Sequence, residues 1–259
     1  MKKIKLAILL FLSSVSIHAQ NFDYSSSVGW TTTVNTFSTL PSCGVAPASL
    51  ASGFVSIHSG RVNFNQIGGA HENRISIPLG NIYDEQFNMD FDFNVSANPP
   101  SKGIGAFLAA LGSRDLTPGL AVPMTVCNGL SIMDAIGILC TSPLSTSSGS
   151  PNIRAMVYDD GVLIPNTGVF NIAYNTTYYT RLQVYGNGRG ELTFFSNIDR
   201  TMRVGGFCFE VPKTIRGLTF LNHGTSAGGH SIRETSGWVD NTNIYRTGNA
   251  CCQINIQGK

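Results

Sequence analysis

The sequence predicts an all-β protein of antiparallel strands, and three observations carry that expectation. Strand-like runs recur along the chain, turn residues punctuate them, and no stretch sustains a 3.6-residue apolar period over a helix length. The clearest run is Phe87–Val95. Phe87, Met89, Phe91, Phe93 and Val95 fall on one face, and Asn88, Asp90, Asp92 and Asn94 on the other. Side chains alternate across a strand, so this strip reads as half-buried, with its polar face toward solvent or a groove.

Further strands are expected at Gly53–Ile57, Arg61–Asn65, Arg74–Leu79, Ile104–Ala110 and Ala135–Cys140. They continue with Asn152–Tyr158, Val169–Ala173, Tyr178–Tyr185, Glu191–Ser196, Thr214–Leu221 and Trp238–Tyr245. Leu108–Leu111 is the nearest approach to a helix, but Gly103, Gly105 and Gly112 hem it in. Asp159-Asp160-Gly161 and Gly186-Asn187-Gly188 read as hairpin turns that need positive φ. Thr141–Pro151, rich in Ser and Pro, reads as a loop. About a dozen short strands without helices leave a sandwich or a barrel. No repeat or linker divides the chain, so one domain over 20–247 and a disulfide-tied tail over 248–259 are expected.

The first residues predict export. Met1–Lys5 is a short basic segment, Leu6–Val15 is apolar, and Ser16–Ala19 ends in the small residue that signal peptidase requires. Cleavage is expected after Ala19, since the apolar run falls short of the roughly 20 residues of a spanning helix. The expected location is therefore secreted, cell-surface or periplasmic. Three lysines leave with the leader, so the mature chain carries 14 basic and 15 acidic residues. Such a balance offers no electrostatic footprint for nucleic acid and no basic amphipathic helix for a membrane.

Six cysteines lie beyond the leader, namely Cys43, Cys127, Cys140, Cys208, Cys251 and Cys252. An even count in an oxidising compartment favours disulfides. Cys127 and Cys140 are the expected local pair. The adjacent Cys251 and Cys252 are expected to bond different partners among Cys43 and Cys208, though spacing leaves the connectivity open. The absence of paired C-x-x-C knuckles argues against zinc.

Several segments together resemble the concanavalin A-like jelly roll, in the laminin-G-like sense of two curved antiparallel sheets. Ser236–Tyr245, with Trp238, Asp240 and Asn241, is similar to the closing strand of such domains. Asn175–Val184, with Tyr178, Tyr179, Leu182 and Val184, is similar to another of their strands. Phe22-Asp23 would then lie beside the closing strand. The fold hosts lectins, adhesion modules, glycosidases and polysaccharide lyases, so it does not name a function.

The resemblance implies specific chemistry to look for. A structural Ca²⁺ would be held by hard oxygen ligands from Asp23, Asp240 and Asn241, or alternatively at Asp159 and Asp160. A sugar site would need an aromatic platform beside amides and carboxylates. Trp30, Tyr158, Tyr185 and Trp238 are possible platforms, and Asp159, Asp160, Asn166 and Asn187 are polar companions, with Tyr158, Asp159, Asp160, Tyr185 and Asn187 the expected ligand-binding set.

Retaining glycosidases of this fold place carboxylates on alternate positions of one strand. Asp90 and Asp92 match that alternation, but the third acid of Glu-x-Asp-x-x-Glu is missing. No Gln-x-His lyase segment, Gly-x-Ser-x-Gly elbow, His-Glu-x-x-His or phosphate loop occurs. His58, His71, His223 and His230 sit in turn-like surroundings. The expected function is thus a non-catalytic carbohydrate- or surface-binding protein with a glycan or cell-surface partner. A polysaccharide hydrolase or lyase using Asp90 and Asp92 is one alternative, and a structural envelope or matrix protein is another.

Overall fold

The computed structural model describes residues 19–36, 54–68, 71–84, 86–97, 105–113, 133–141, 150–224 and 234–246. Sixteen strands and no helix lie among them. They are β1 (Ala19–Asn21), β2 (Thr31–Thr36), β3 (Phe54–His58), β4 (Arg61–Gly68), β5 (His71–Tyr83), β6 (Phe87–Val95), β7 (Gly105–Gly112) and β8 (Ala135–Thr141). Then come β9 (Asn152–Asp159), β10 (Val162–Ile164), β11 (Phe170–Asn171), β12 (Thr177–Tyr185), β13 (Arg189–Phe195), β14 (Arg203–Glu210), β15 (Leu218–Gly224) and β16 (Glu234–Tyr245). Among the described residues no helix is long and apolar enough to cross a membrane.

The strands form two eight-stranded antiparallel sheets. The first, sheet A, runs β14-β13-β12-β6-β16-β4-β3, with β1 also on β16. The second, sheet B, runs β10-β9-β8-β7-β15-β5-β2, with β11 also on β9. The expected antiparallel sandwich is therefore the observed one. β1 pairs with Asn243–Tyr245 of β16, and Phe22 N donates to Thr242 O at 3.0 Å, so the early segment does lie beside the closing strand.

β6 shows why these sequences make a sandwich. Phe87, Met89, Phe91, Phe93 and Val95 are each at most 1% exposed and face the other sheet. Opposite them stand Ala109, Leu111, Ile136, Ile138 and Leu221, the inward positions of β7, β8 and β15. Each large side chain so buried stabilises by about 2 kcal/mol. Sheet B is covered on its outer face as well, where Phe107, Ala110 and Leu139 form a second apolar group.

The turns follow from their residues. Asp160 and Gly161 have φ of 48° and 78°, the two left-handed positions of a type I′ hairpin, and Gly188 has φ of 91°. Three expectations change. The polar face of β6 is not open, because Asn88 is 5% and Asp92 2% exposed. His223 is not in a turn but fully buried on β15. The strand expected from Thr214 begins only at Leu218. Cys140 carries a free thiol inside the core, where burial pushes its pKa up, while Cys127, its expected partner, lies outside the described residues. The inward slot that Cys140 takes on β8 places its sulfur between the sheets. Cys208 is exposed on β14, while Cys43, Cys127, Cys251, Cys252 and the 248–259 tail lie outside the described residues.

Candidate functional site

Two regions gather the polar side chains singled out by the sequence. The first is the outer face of sheet A. Cross-strand register sets Arg181 of β12 and Asn243 of β16 on either side of Asp90, and Asp240 opposite Asp92. Arg181 grips Asp90 with two hydrogen bonds, Nε to Oδ1 and Nη2 to Oδ2, both 2.8 Å. Arg200 reaches in from the β13–β14 turn, donating Nη2 to Asp92 Oδ1 at 2.5 Å, with Nε 3.7 Å from Asp90 Oδ2. Asn241 Nδ2 donates to Asp92 Oδ2 at 2.7 Å, and its backbone N to Asp240 Oδ1, also at 2.7 Å. Arg61 Nε donates to Asp240 Oδ2 at 3.1 Å while lying 4.0 Å over the Trp238 ring. Desolvation raises the Asp92 pKa, opposed by the Asn241 hydrogen bond and Arg200.

This arrangement locks the carboxylates. A glycosidase pair needs an acid and a nucleophile that face substrate. Here both oxygens of Asp90, Asp92 and Asp240 already accept a hydrogen bond, and Asp92 is shielded from solvent. The expected calcium ligands fare similarly. Asp23 is exposed and spends its carboxylate on Ser25, accepting from N and Oγ at 2.7 Å each, bonds that lower its pKa. Calcium wants 6–8 oxygen ligands, so Asp23, Asp240 and Asn241 as placed do not fit it. Among the described residues no group of three or more His, Cys, Asp or Glu side chains is arranged to hold a metal.

The second region is one end of the sandwich, where the β9–β10 turn, the β12–β13 turn and residues 211–217 meet. Val211 and Ile215 are buried plugs that fasten this last segment to the core. Its backbone is then tied to acids on neighbouring elements. Arg216 N donates to Asp134 Oδ2 at 2.5 Å, Gly217 N to Asp84 Oδ1 at 3.2 Å, and Thr214 Oγ1 to Asp159 Oδ2 at 2.5 Å. Asp134 also accepts from Asp160 N at 2.9 Å, which couples the β9–β10 turn to the same post. Val211 N donates to Gly188 O at 3.1 Å, so the β12–β13 turn is held too.

Between the hairpin and this segment open two adjoining clefts. One, of about 180 Å³, is bordered by Tyr185, Asp84, Lys213 and Arg216. The other, more open and about 560 Å³, is bordered by Asn187, Arg189, Glu210 and Lys213. The Tyr185 hydroxyl donates to Glu191 Oε2 at 3.3 Å, which fixes the ring.

The structure therefore sorts the expected ligand residues. Tyr185 and Asn187 border the clefts, and Asp159 and Asp160 buttress the same end through Thr214 and Asp134. Tyr158 is 4% exposed, in an apolar group with Met133 and Ala135, and offers no platform. Trp30 packs against Phe22, Tyr24 and His223, and one face of Trp238 is taken by Arg61. Asn166 accepts at 2.9 Å from the backbone N of Glu210, which itself borders the larger cleft. Neither Lys213 nor Arg216 stands out in the sequence, where a strand is expected from Thr214. The Pro212 and Gly217 flanking it were the available signal of a turn.

No protein-family profile matches the chain, and no curated protein matches it by sequence. By structure it is similar to the VIP36 exoplasmic/lumenal domain in its Ca²⁺/Man3GlcNAc-bound form, with a TM-score of 0.53 at 14% identity over 91% of each chain. It is also similar to the CBM2 module of the evolved Dit of Lactobacillus casei BL23 phage J-1, with a TM-score of 0.54 at 12% identity, covering 92% of this chain and 100% of that one. At such identities the likeness concerns the fold, and it agrees with the sheet order: the chain is an antiparallel, concanavalin A-like β-sandwich.

Proposed function

We propose that this chain is a carbohydrate-binding β-sandwich and that its site is the cleft pair beside the β12–β13 turn. The observation that carries the reading is the meeting there of a fixed aromatic ring, Tyr185, with the exposed amide of Asn187 and the ammonium of Lys213 on an open concave surface. A pyranose presents an apolar face that packs on a ring and hydroxyls that seek paired donors and acceptors, and these residues supply both. The wall is built before ligand arrives, since residues 211–217 hang on Asp134, Asp84 and Asp159, and a preformed wall lowers the ordering cost of binding. The VIP36 domain, similar in fold and seen in a Man3GlcNAc-bound form, supports a glycan as the class of partner. That form also holds Ca²⁺, but the residues expected to hold the ion here are otherwise engaged.

A glycan array followed by calorimetry on the best ligand tests the reading. Y185A should weaken that ligand about tenfold or more, equivalent to about 1.4 kcal/mol, and N187A should weaken it measurably, both with unchanged far-ultraviolet circular dichroism. A protein that binds no glycan, or binds it equally well in both variants, removes the assignment and leaves a structural role.

A further inference from the structure

Three carboxylates, Asp90, Asp92 and Asp240, occupy one patch of the adjacent strands β6 and β16, with Asp92 and Asp240 directly opposite. Like charges placed so close repel, and burial removes the water that would screen them. A patch of this kind needs cations. Arg181 and Arg61 supply two of them from neighbouring strands. The third comes from outside the sheet: Arg200 lies in the β13–β14 turn, yet its side chain is only 12% exposed and lies against both Asp90 and Asp92.

The turn is constructed to deliver it. Asn197 Oδ1 accepts from Thr201 N at 3.1 Å and Met202 N at 2.8 Å, and Asn197 Nδ2 donates to Thr201 Oγ1 at 2.7 Å. Arg200 itself has φ of 51°, a left-handed conformation that a non-glycine residue adopts at a cost. Asn241, the other donor to Asp92, has φ of 50°. Two strained residues thus converge on one carboxylate. Arg200 also donates Nε to Thr180 O at 3.3 Å and Nη1 to Ile198 O at 3.1 Å, so the guanidinium faces oxygen on several sides.

We propose that Arg200 is a built-in cation, a guanidinium that the β13–β14 turn sets among the sheet A carboxylates in the role a divalent ion would otherwise fill, so that this sandwich folds without calcium. A tethered cation loses no translational freedom on binding and cannot be chelated away. The proposal stands apart from the glycan reading, because its readout is melting and not ligand affinity.

Thermal melts of the full chain test it. The wild type should melt within about 1 °C of the same temperature in EDTA and in millimolar CaCl₂ at matched ionic strength. R200G removes the guanidinium while a glycine relieves the left-handed backbone, so the substitution adds no backbone strain. Its Tm should fall by about 10 °C, as expected when one partner of a buried ion pair is removed. Calcium should then restore part of that loss where matched NaCl does not, and the restoration should vanish in R200G/D92N. R200Q, which keeps the side-chain length, carries the same test should R200G not fold. A wild-type Tm that climbs with calcium would overturn the proposal. So would an unchanged Tm on removing Arg200, or a lowered Tm that no divalent ion raises.

Discussion

His223 is fully buried where the two sheets meet, its ring 5.9 Å from that of Tyr24 and 5.7 Å from that of Trp30. Nδ1 donates to Leu108 O at 2.5 Å, and Nε2 faces the Tyr24 hydroxyl at 3.2 Å. The ladders of β7 and β15 skip a residue at this point, leaving Leu108 O free for the ring. Desolvation lowers the His223 pKa from 6.5 to about 4, only partly opposed by the Leu108 bond. Between those values the unfolded chain takes up a proton that the folded chain refuses, so stability falls as pH drops from 6.5 toward 4, by about 3 kcal/mol in all. Urea denaturation at stepped pH should show that slope, and H223Q should flatten it while lowering stability at neutral pH. Neither this role nor that of Arg200 was legible in the sequence. Gly224 beside His223 suggests a turn, and nothing local in Asn197–Thr201 announces that its arginine meets acids more than a hundred positions earlier.

Elements were legible where alternation was clean. β6, β9 and β12 carry their inward residues at every second position and were found close to their observed bounds. β14 was missed because Gly205-Gly206 interrupts its apolar pattern, and those glycines have a reason. A Cβ at Gly205 would stand 2.3 Å from the Phe170 ring, and one at Gly206 would stand 2.5 Å from Leu192 O. β2 was missed because Thr31–Thr36 holds one apolar residue. β16 has the same device as β14. Gly237 has φ of 148° at the bulge between its pairings with β4, and a Cβ there would stand 2.1 Å from Asn94 O on β6. Backbone cannot step aside as a side chain can. G237A should therefore cost about 2 kcal/mol or more in urea denaturation, and a loss below about 0.5 kcal/mol would show that the bulge is looser than described.

At the scale of the molecule, the compositional reading gave two sheets over a common interior, and the cleft end was half visible. Tyr185 and Asn187 stood out because hairpin tips are short and local. The wall facing them did not, since Lys213 and Arg216 are placed by Asp134 and Asp84, distant in the chain. The sheet order has a further consequence for how the protein comes into being. β16 lies between β6 and β4, so sheet A is two separate pieces until the final strand fills the gap. Among the described strands it is also the last to be synthesised. Both flanking strands must wait with bare amide edges, and unpaired edges of this kind invite association with other chains. A chain stopped after residue 233 should accordingly be found in the insoluble fraction, with recovery when a peptide of residues 234–246 is supplied in trans. Sheet A can be completed only when β16 arrives, which makes Glu234–Tyr245 the keystone of its assembly.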